Sequence, residues 1–170
     1  DWSSDVCSSD LHAAQRGIPV QIWMPRSTPL IKLTATRAYG ADVVLHGANY
    51  DEACEAAIEQ SVQRNATFVH PFDDDEVIAG QGTLGLELLK QNPALDVILV
   101  PVGGGGLIGG VGCAVKGLKP QVEIIGVQTS RLPSMKAALE SGGPTSLPAH
   151  STLADGIAVR RAGTRTLALV

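Results

Sequence analysis

The sequence predicts an α/β fold of open parallel sheets with helices on both faces. Three observations carry this. From Ile18 onward, short apolar runs alternate with helical patterns. Helical segments of about 10–15 residues separate the runs, the spacing of βαβ units. The runs are also apolar throughout rather than alternating, as in strands covered on both sides.

Taken in order, IPVQIWMP (residues 18–25) reads as a strand closed by proline. PLIKLTATRAYG (29–40) reads as a helix with Thr28 as N-cap, Pro29 at the first position and Gly40 as stop. ADVVLHG (41–47) is the next strand. The helix at 50–65 has Asn49 as N-cap and acids in its first turn, with Cys54, Ala57, Ile58 and Val62 at helical spacing. ATFVHP (66–71) reads as another strand. PFDDDEVIAGQGT then leads into the helix GTLGLELLKQNP (82–93), followed by the strand at 96–102, a glycine run and the helix at 107–118. The strand at 122–128 and the helix at 133–143 complete the regular part. Beyond them only TLADGIAV (152–159) stands out as an apolar run.

Composition narrows the function. The chain has 170 residues, 44% of them hydrophobic, with a net charge of -4. No Lys/Arg cluster offers phosphate neutralisation, which argues against a nucleic-acid partner. Glycine, proline or charge interrupts every apolar run before the roughly 20 residues of a membrane span. Cys7, Cys54 and Cys113 are odd in number and show no Cys-x-x-Cys spacing, which suits a reduced, cytoplasmic protein.

The stretch VPVGGGGLIGG raises the main functional question. A glycine-rich turn between a strand and a helix presents backbone N–H groups to an anion, and the helix dipole adds to the attraction. Gly103, Gly104, Gly105 and Gly106 therefore read as a phosphate cradle, with a purely structural turn as the bland alternative. A dinucleotide fingerprint over Gly104, Gly106 and Gly109 lacks the acid expected at the tip of the following strand, where Gly126, Val127 and Gln128 stand. No Gly-Lys-Ser/Thr follows the glycines, so a Walker A loop is excluded.

These glycines, with VIAGQGTLGLELL before them and IIGVQ, PSMKAALESG and TLADGIAV after them, resemble the fold type II pyridoxal-phosphate enzymes. The nearest likeness is to threonine dehydratases (threonine ammonia-lyases), with serine dehydratases and serine racemases as relatives. AAQRGIPVQIWMP and YGADVVLHG agree with it, so the resemblance covers His12 to Val170. It implies pyridoxal 5'-phosphate as cofactor, held through its phosphate by the N–H groups of Gly103, Gly104, Gly105, Gly106 and Leu107. It places Gly156 near the cofactor ring. It implies a small amino acid as substrate, converted by loss of its α-proton and β-hydroxyl to a 2-oxoacid and ammonia, threonine giving 2-oxobutanoate. A homo-oligomeric full-length protein is implied as well.

The resemblance also shows what is not present. The family's Schiff-base lysine lies in a Ser-Phe-Lys-x-Arg-Gly motif, and no such string occurs here. Lys32, Lys90, Lys116, Lys119 and Lys136 sit in or beside predicted helices and read as structural. No catalytic residue is therefore assigned within the chain. The Ser-x-Gly-Asn-His loop and the later Ser/Cys facing the pyridine nitrogen are missing too. DWSSDVCSSDL (1–11) reads back through a legal set of codons as a common sequencing-library adapter. It is expected to be non-native, with 12–65 part of a small subdomain and 66–170 part of a large cofactor-binding domain. The expectation is a fragment, inactive and poorly soluble alone. The competing readings are a serine racemase or another β-hydroxy amino acid lyase and, from a different class, a non-catalytic module for phosphate ligands.

Asp73, Asp74, Asp75 and Glu76 are expected to start the helix after them rather than to hold a cation, because carboxylates favour a helix N-terminus. Relatives with a cation site carry an acid where Gln128 stands, so no metal is expected. His12, His46, His70 and His150 read as packing or surface groups, and Cys54 and Cys113 as buried thiols.

Overall fold

The computed structural model describes residues 8–170, which divide into two compact units between Phe68 and Val69. The first contains α1 (Ser8–Arg16), β1 (Gln21–Met24), α2 (Leu30–Ala38), β2 (Asp42–Leu45) and α3 (Tyr50–Gln63). Ser8 to Leu11, inside the stretch read as foreign, form the first turn of α1; residues before Ser8 lie outside the described part. β1 and β2 pair in parallel, with Gln21 opposite Asp42 and Met24 opposite Leu45. A parallel pair needs a crossover, and α2 provides it. That helix starts one residue later than its sequence suggests. The Thr28 N–H closes a turn on the Pro25 carbonyl, and extended Pro29 takes the cap position.

α3 starts where expected. Asn49 Oδ1 accepts from the Glu52 N–H at 3.1 Å, while Glu52 returns its carboxylate to Asn49 Nδ2 and to the Ala48 N–H. This reciprocal arrangement satisfies donors at both ends of the first turn.

The second unit contains α4 (Asp75–Gln91), β3 (Val97–Pro101), α5 (Gly106–Leu118), β4 (Glu123–Val127), α6 (Ser134–Ser141) and α7 (Thr164–Leu169), with a 3-10 turn at Asp155–Ile157. β3 and β4 pair in parallel, Val97 opposite Glu123 and Pro101 opposite Val127. Ile98 and Val100 of β3 point into a core with Leu89, Val111, Val115, Val122 and Met135. Val115 and Val122 are completely buried. Val97 and Leu99 point to the other face of the sheet, which the described residues leave open.

Two expectations are corrected here. Residues 66–71 form no strand, because no described strand offers them a ladder and the segment carries the chain across the boundary between units. α7, absent from the sequence reading, is a helix.

α4 and α5 meet at backbone distance. A Cβ at Gly82 would lie 3.0 Å from the Gly110 carbonyl oxygen, and one at Gly85 3.0 Å from Val115. A Cβ at Gly110 would overlap the Ile78 carbonyl outright. The AGQGT signature thus has a packing role through Gly82. Gly80 is different: it is exposed, with no atom near the position of a Cβ.

The turn before α4 is held by a histidine. His70 Nδ1 accepts from the N–H groups of Phe72 (3.2 Å) and Asp73 (2.8 Å), so the imidazole must be neutral there. Burial lowers its pKa, and the carboxylates of Asp73 and Asp74 only partly oppose that.

Three outcomes are expected. Gly110→Ala should lower the free energy of unfolding by about 3 kcal/mol, through overpacking against backbone. Gly80→Ala should raise it by roughly 0.5–1 kcal/mol by favouring the helix; urea titrations of both variants decide the pair. The His70 contribution is full above its unfolded pKa of 6.5 and is lost as pH falls through the lowered folded value. Melting midpoints should therefore drop between pH 7 and pH 5, and His70→Asn, which keeps an acceptor but cannot titrate, should flatten that slope.

Candidate functional site

The glycine loop leaves β3 at its carboxyl end, where open α/β sheets bind ligands. The Val102 N–H donates to the Val127 carbonyl at 2.8 Å, so the strand pairing runs up to the first glycine. Gly105 then takes a left-handed conformation, φ +102°, as N-cap of α5 and supplies no capping side chain. The first helical bond runs from the Gly109 N–H to the Gly105 carbonyl at 2.9 Å. Gly104, Gly105 and Gly106 are buried. Among the described residues, none accepts a hydrogen bond from the N–H groups of Gly104, Gly105, Gly106 or Leu107. Buried N–H groups are almost always paired. A row of unpaired ones at a helix N-terminus has the donor chemistry of an anion site, and it fits a phosphate.

The absent side chains have a second cause, which the sequence reading underrated. A Cβ at Gly104 would overlap the Phe72 ring, and one at Gly106 would lie 2.9 Å from the Phe72 Cβ. A Cβ at Gly105 would press on Met135 and Thr166; at Gly103 it would lie 3.1 Å from Val159. Packing on one side of the loop removes the side chains, while the N–H groups remain available on another. Four glycines are thus no argument against a structural turn.

The carbonyl side of the loop is tied down. The Gly104 oxygen accepts from Thr166 Oγ1 at 2.6 Å and from the Gly163 N–H at 3.1 Å. Thr166 is completely buried. It stands in the first turn of α7, whose N–H groups at Thr164, Arg165 and Thr166 all donate to the Asp73 carboxylate, at 3.0, 2.9 and 3.1 Å. A side chain at Gly163 would sit on that carboxylate.

The acidic run divides its work accordingly. Asp74 caps α4, as its sequence position suggests, accepting from Glu76 and Val77. Asp73 caps α7, and Asp75 pairs with Arg165 at 2.6 Å. Among the described residues no group of three or more His, Cys, Asp or Glu side chains converges on a point where a metal ion could sit.

Gly156 lies exposed in the 3-10 turn, with no atom near its missing Cβ. The same segment reaches the loop through Ile157 and Val159, which lie against Gly103. Leu107 is half-buried and packs on the core of this unit. Gln128 braces the end of β3 to α6: its Nε2 donates to the Val102 carbonyl and its Oε1 accepts from the Lys136 N–H.

Three of the five lysines have structural partners. Lys116 donates to the Pro120 carbonyl, Lys119 to that of Pro93, and Lys136 pairs with Glu140. Lys32 and Lys90 lie on α2 and α4. His46 stacks at a tilt on Trp23 in the first unit. Cys113, expected buried, is exposed on α5; Cys54 is half-buried, and Cys7 lies outside the described residues. Among the described residues no helix is long and apolar enough to cross a membrane.

Known proteins carry the same pattern. The L-threonine ammonia-lyase of Thermotoga maritima is 53% identical over 154 residues, covering 91% of this chain and 38% of its own length. Threonine deaminase isoform 2 of Solanum lycopersicum, in its processed form, superposes with a TM-score of 0.88 at 40% identity, over 96% of this chain and 48% of its own. Maize serine racemase superposes at 0.89 with 32% identity, over 96% and 49%. The chain thus spans between a third and a half of the length of these relatives. The sequence profile described as "Pyridoxal-phosphate dependent enzyme" matches residues 6–170, and the chain belongs to that family.

Proposed function

We propose that this chain supplies the phosphate-binding part of a pyridoxal-phosphate-dependent threonine ammonia-lyase. The observation that carries the reading is that no described residue accepts from the N–H groups of Gly104, Gly105, Gly106 or Leu107 at the start of α5, the first three of which are buried residues. In this reading Gly103, Gly104, Gly105, Gly106 and Leu107 direct their N–H groups at the phosphate oxygens, and the positive end of α5 adds its field. The turn at Gly156 lies on the cofactor-ring side of the loop. Residues 12–65 belong to a small subdomain and 66–170 to the large cofactor-binding domain.

When bound, the cofactor supplies the electron sink for bond cleavage at the α-carbon of the amino acid. The chain's own contribution is to anchor and orient it. With Lys116, Lys119 and Lys136 engaged elsewhere, no lysine of these 170 residues is assigned to proton transfer. That role belongs to the family's Ser-Phe-Lys-x-Arg-Gly motif. Threonine is the preferred substrate because the L-threonine ammonia-lyase of Thermotoga maritima is 53% identical. The likeness to maize serine racemase supports serine racemisation as a second reading.

Two measurements test this. Inorganic phosphate should raise the melting midpoint of the full-length apo protein, by mass action on the folded form, while chloride at equal ionic strength should not; equal responses to both would sink the cradle. The full-length protein, assayed with L-threonine and with L-serine, should release 2-oxobutanoate from threonine, and the 170-residue chain alone should stay at background. Accumulation of D-serine without 2-oxobutanoate would decide for the racemase.

A further inference from the structure

We propose, on the reading of the glycine loop as a phosphate cradle, that Asp73 and Thr166 are positioning residues that set the direction of its donors. A peptide group is planar and trans, so its C=O and N–H point opposite ways. The carbonyl of Gly104 and the N–H of Gly105 belong to one such plane. Thr166 Oγ1 and the Gly163 N–H hold that carbonyl from the α7 side. The Gly105 N–H is thereby turned away from α7, and the two donors occupy both lone pairs of an oxygen that would otherwise repel an anion.

Thr166 can do this only if α7 is in place. The helix has six residues and no side-chain cap of its own. Its three leading N–H groups bind the Asp73 carboxylate, and the preceding residue, Phe72, lies against Gly104 and Gly106. One short segment therefore presses on the loop directly through Phe72 and holds its carbonyl indirectly through Asp73 and Thr166. Gly105, at φ +102°, takes up the conformation that this clamp demands. Asp73 and Thr166 act through the peptide they orient, from its carbonyl side.

The test compares ligands that differ only in the phosphate. Calorimetric titration of the full-length protein in its apo form with pyridoxal 5'-phosphate and with pyridoxal gives the phosphate preference, and displacement by inorganic phosphate, followed by phosphorus NMR, confirms its source. Thr166→Val keeps the shape and removes the hydroxyl. It should lower the preference about tenfold, the worth of one buried hydrogen bond, with pyridoxal affinity unchanged. Thr166→Ser should restore it, and Asp73→Asn should reproduce the Val result in weaker form. Gly105→Ala serves as the reference lesion of the loop.

If Gly105→Ala loses the preference and Thr166→Val keeps it, the clamp is wrong and the cradle stands. If the unsubstituted protein shows no preference for the phosphorylated ligand, the cradle fails and the clamp with it. If Thr166→Val and Asp73→Asn lose both ligands in step with a lower melting midpoint, the two residues are merely structural and the proposal is overturned.

Discussion

A buried peptide N–H without an acceptor costs about 1–3 kcal/mol, and the second unit keeps several of them together at the start of α5. Such a concentration persists only where the surrounding structure holds it open. Here the means are visible. Phe72, Met135, Thr166 and Val159 fill the space beside each glycine, so the loop cannot relax by folding its donors inward. The same packing leaves no room for a Cβ at Gly104, Gly105 or Gly106. The empty side of each glycine and the open side of each N–H are complementary results of one packing problem.

Stiffness comes from behind the loop. α5 begins in the glycine run and continues along α4 at a distance set by Gly82, Gly85 and Gly110, where backbone meets backbone. Val111 and Val115 then anchor it on β3 and β4. A helix fixed on two sides cannot pivot at its N-terminus, so its dipole keeps one direction. Residues far from the candidate site thus decide where its positive end points.

Local features were legible in the sequence. Asn49 and Asp74 cap the helices that follow them, because capping depends on atoms within three residues. The order of β3, glycines and α5 was legible for the same reason. Residues 66–71 were misread, since an apolar run looks identical with and without a partner strand, and the ladder is a long-range fact. Cys113 was misread because the Ala/Val pattern of α5 marks two sides of the helix, one of which is open. α7 could not be read at all. Its cap, Asp73, lies 91 residues before Thr164, and a nearer helix, α4, stands directly after Asp73 in the chain.

That distance has a kinetic side. A helix of six residues lies far below the length that holds itself together in water. α7 can order only after its own cap has arrived across a long closed loop, and loop closure is slow to be rewarded. The turn at His70 to Asp74 must already be set. Gly104 is fastened by a helix that depends on a contact 91 residues away in sequence. The donor row therefore rests on a long-range lock: the elements nearest in sequence build the frame, and a residue from far along the chain holds it.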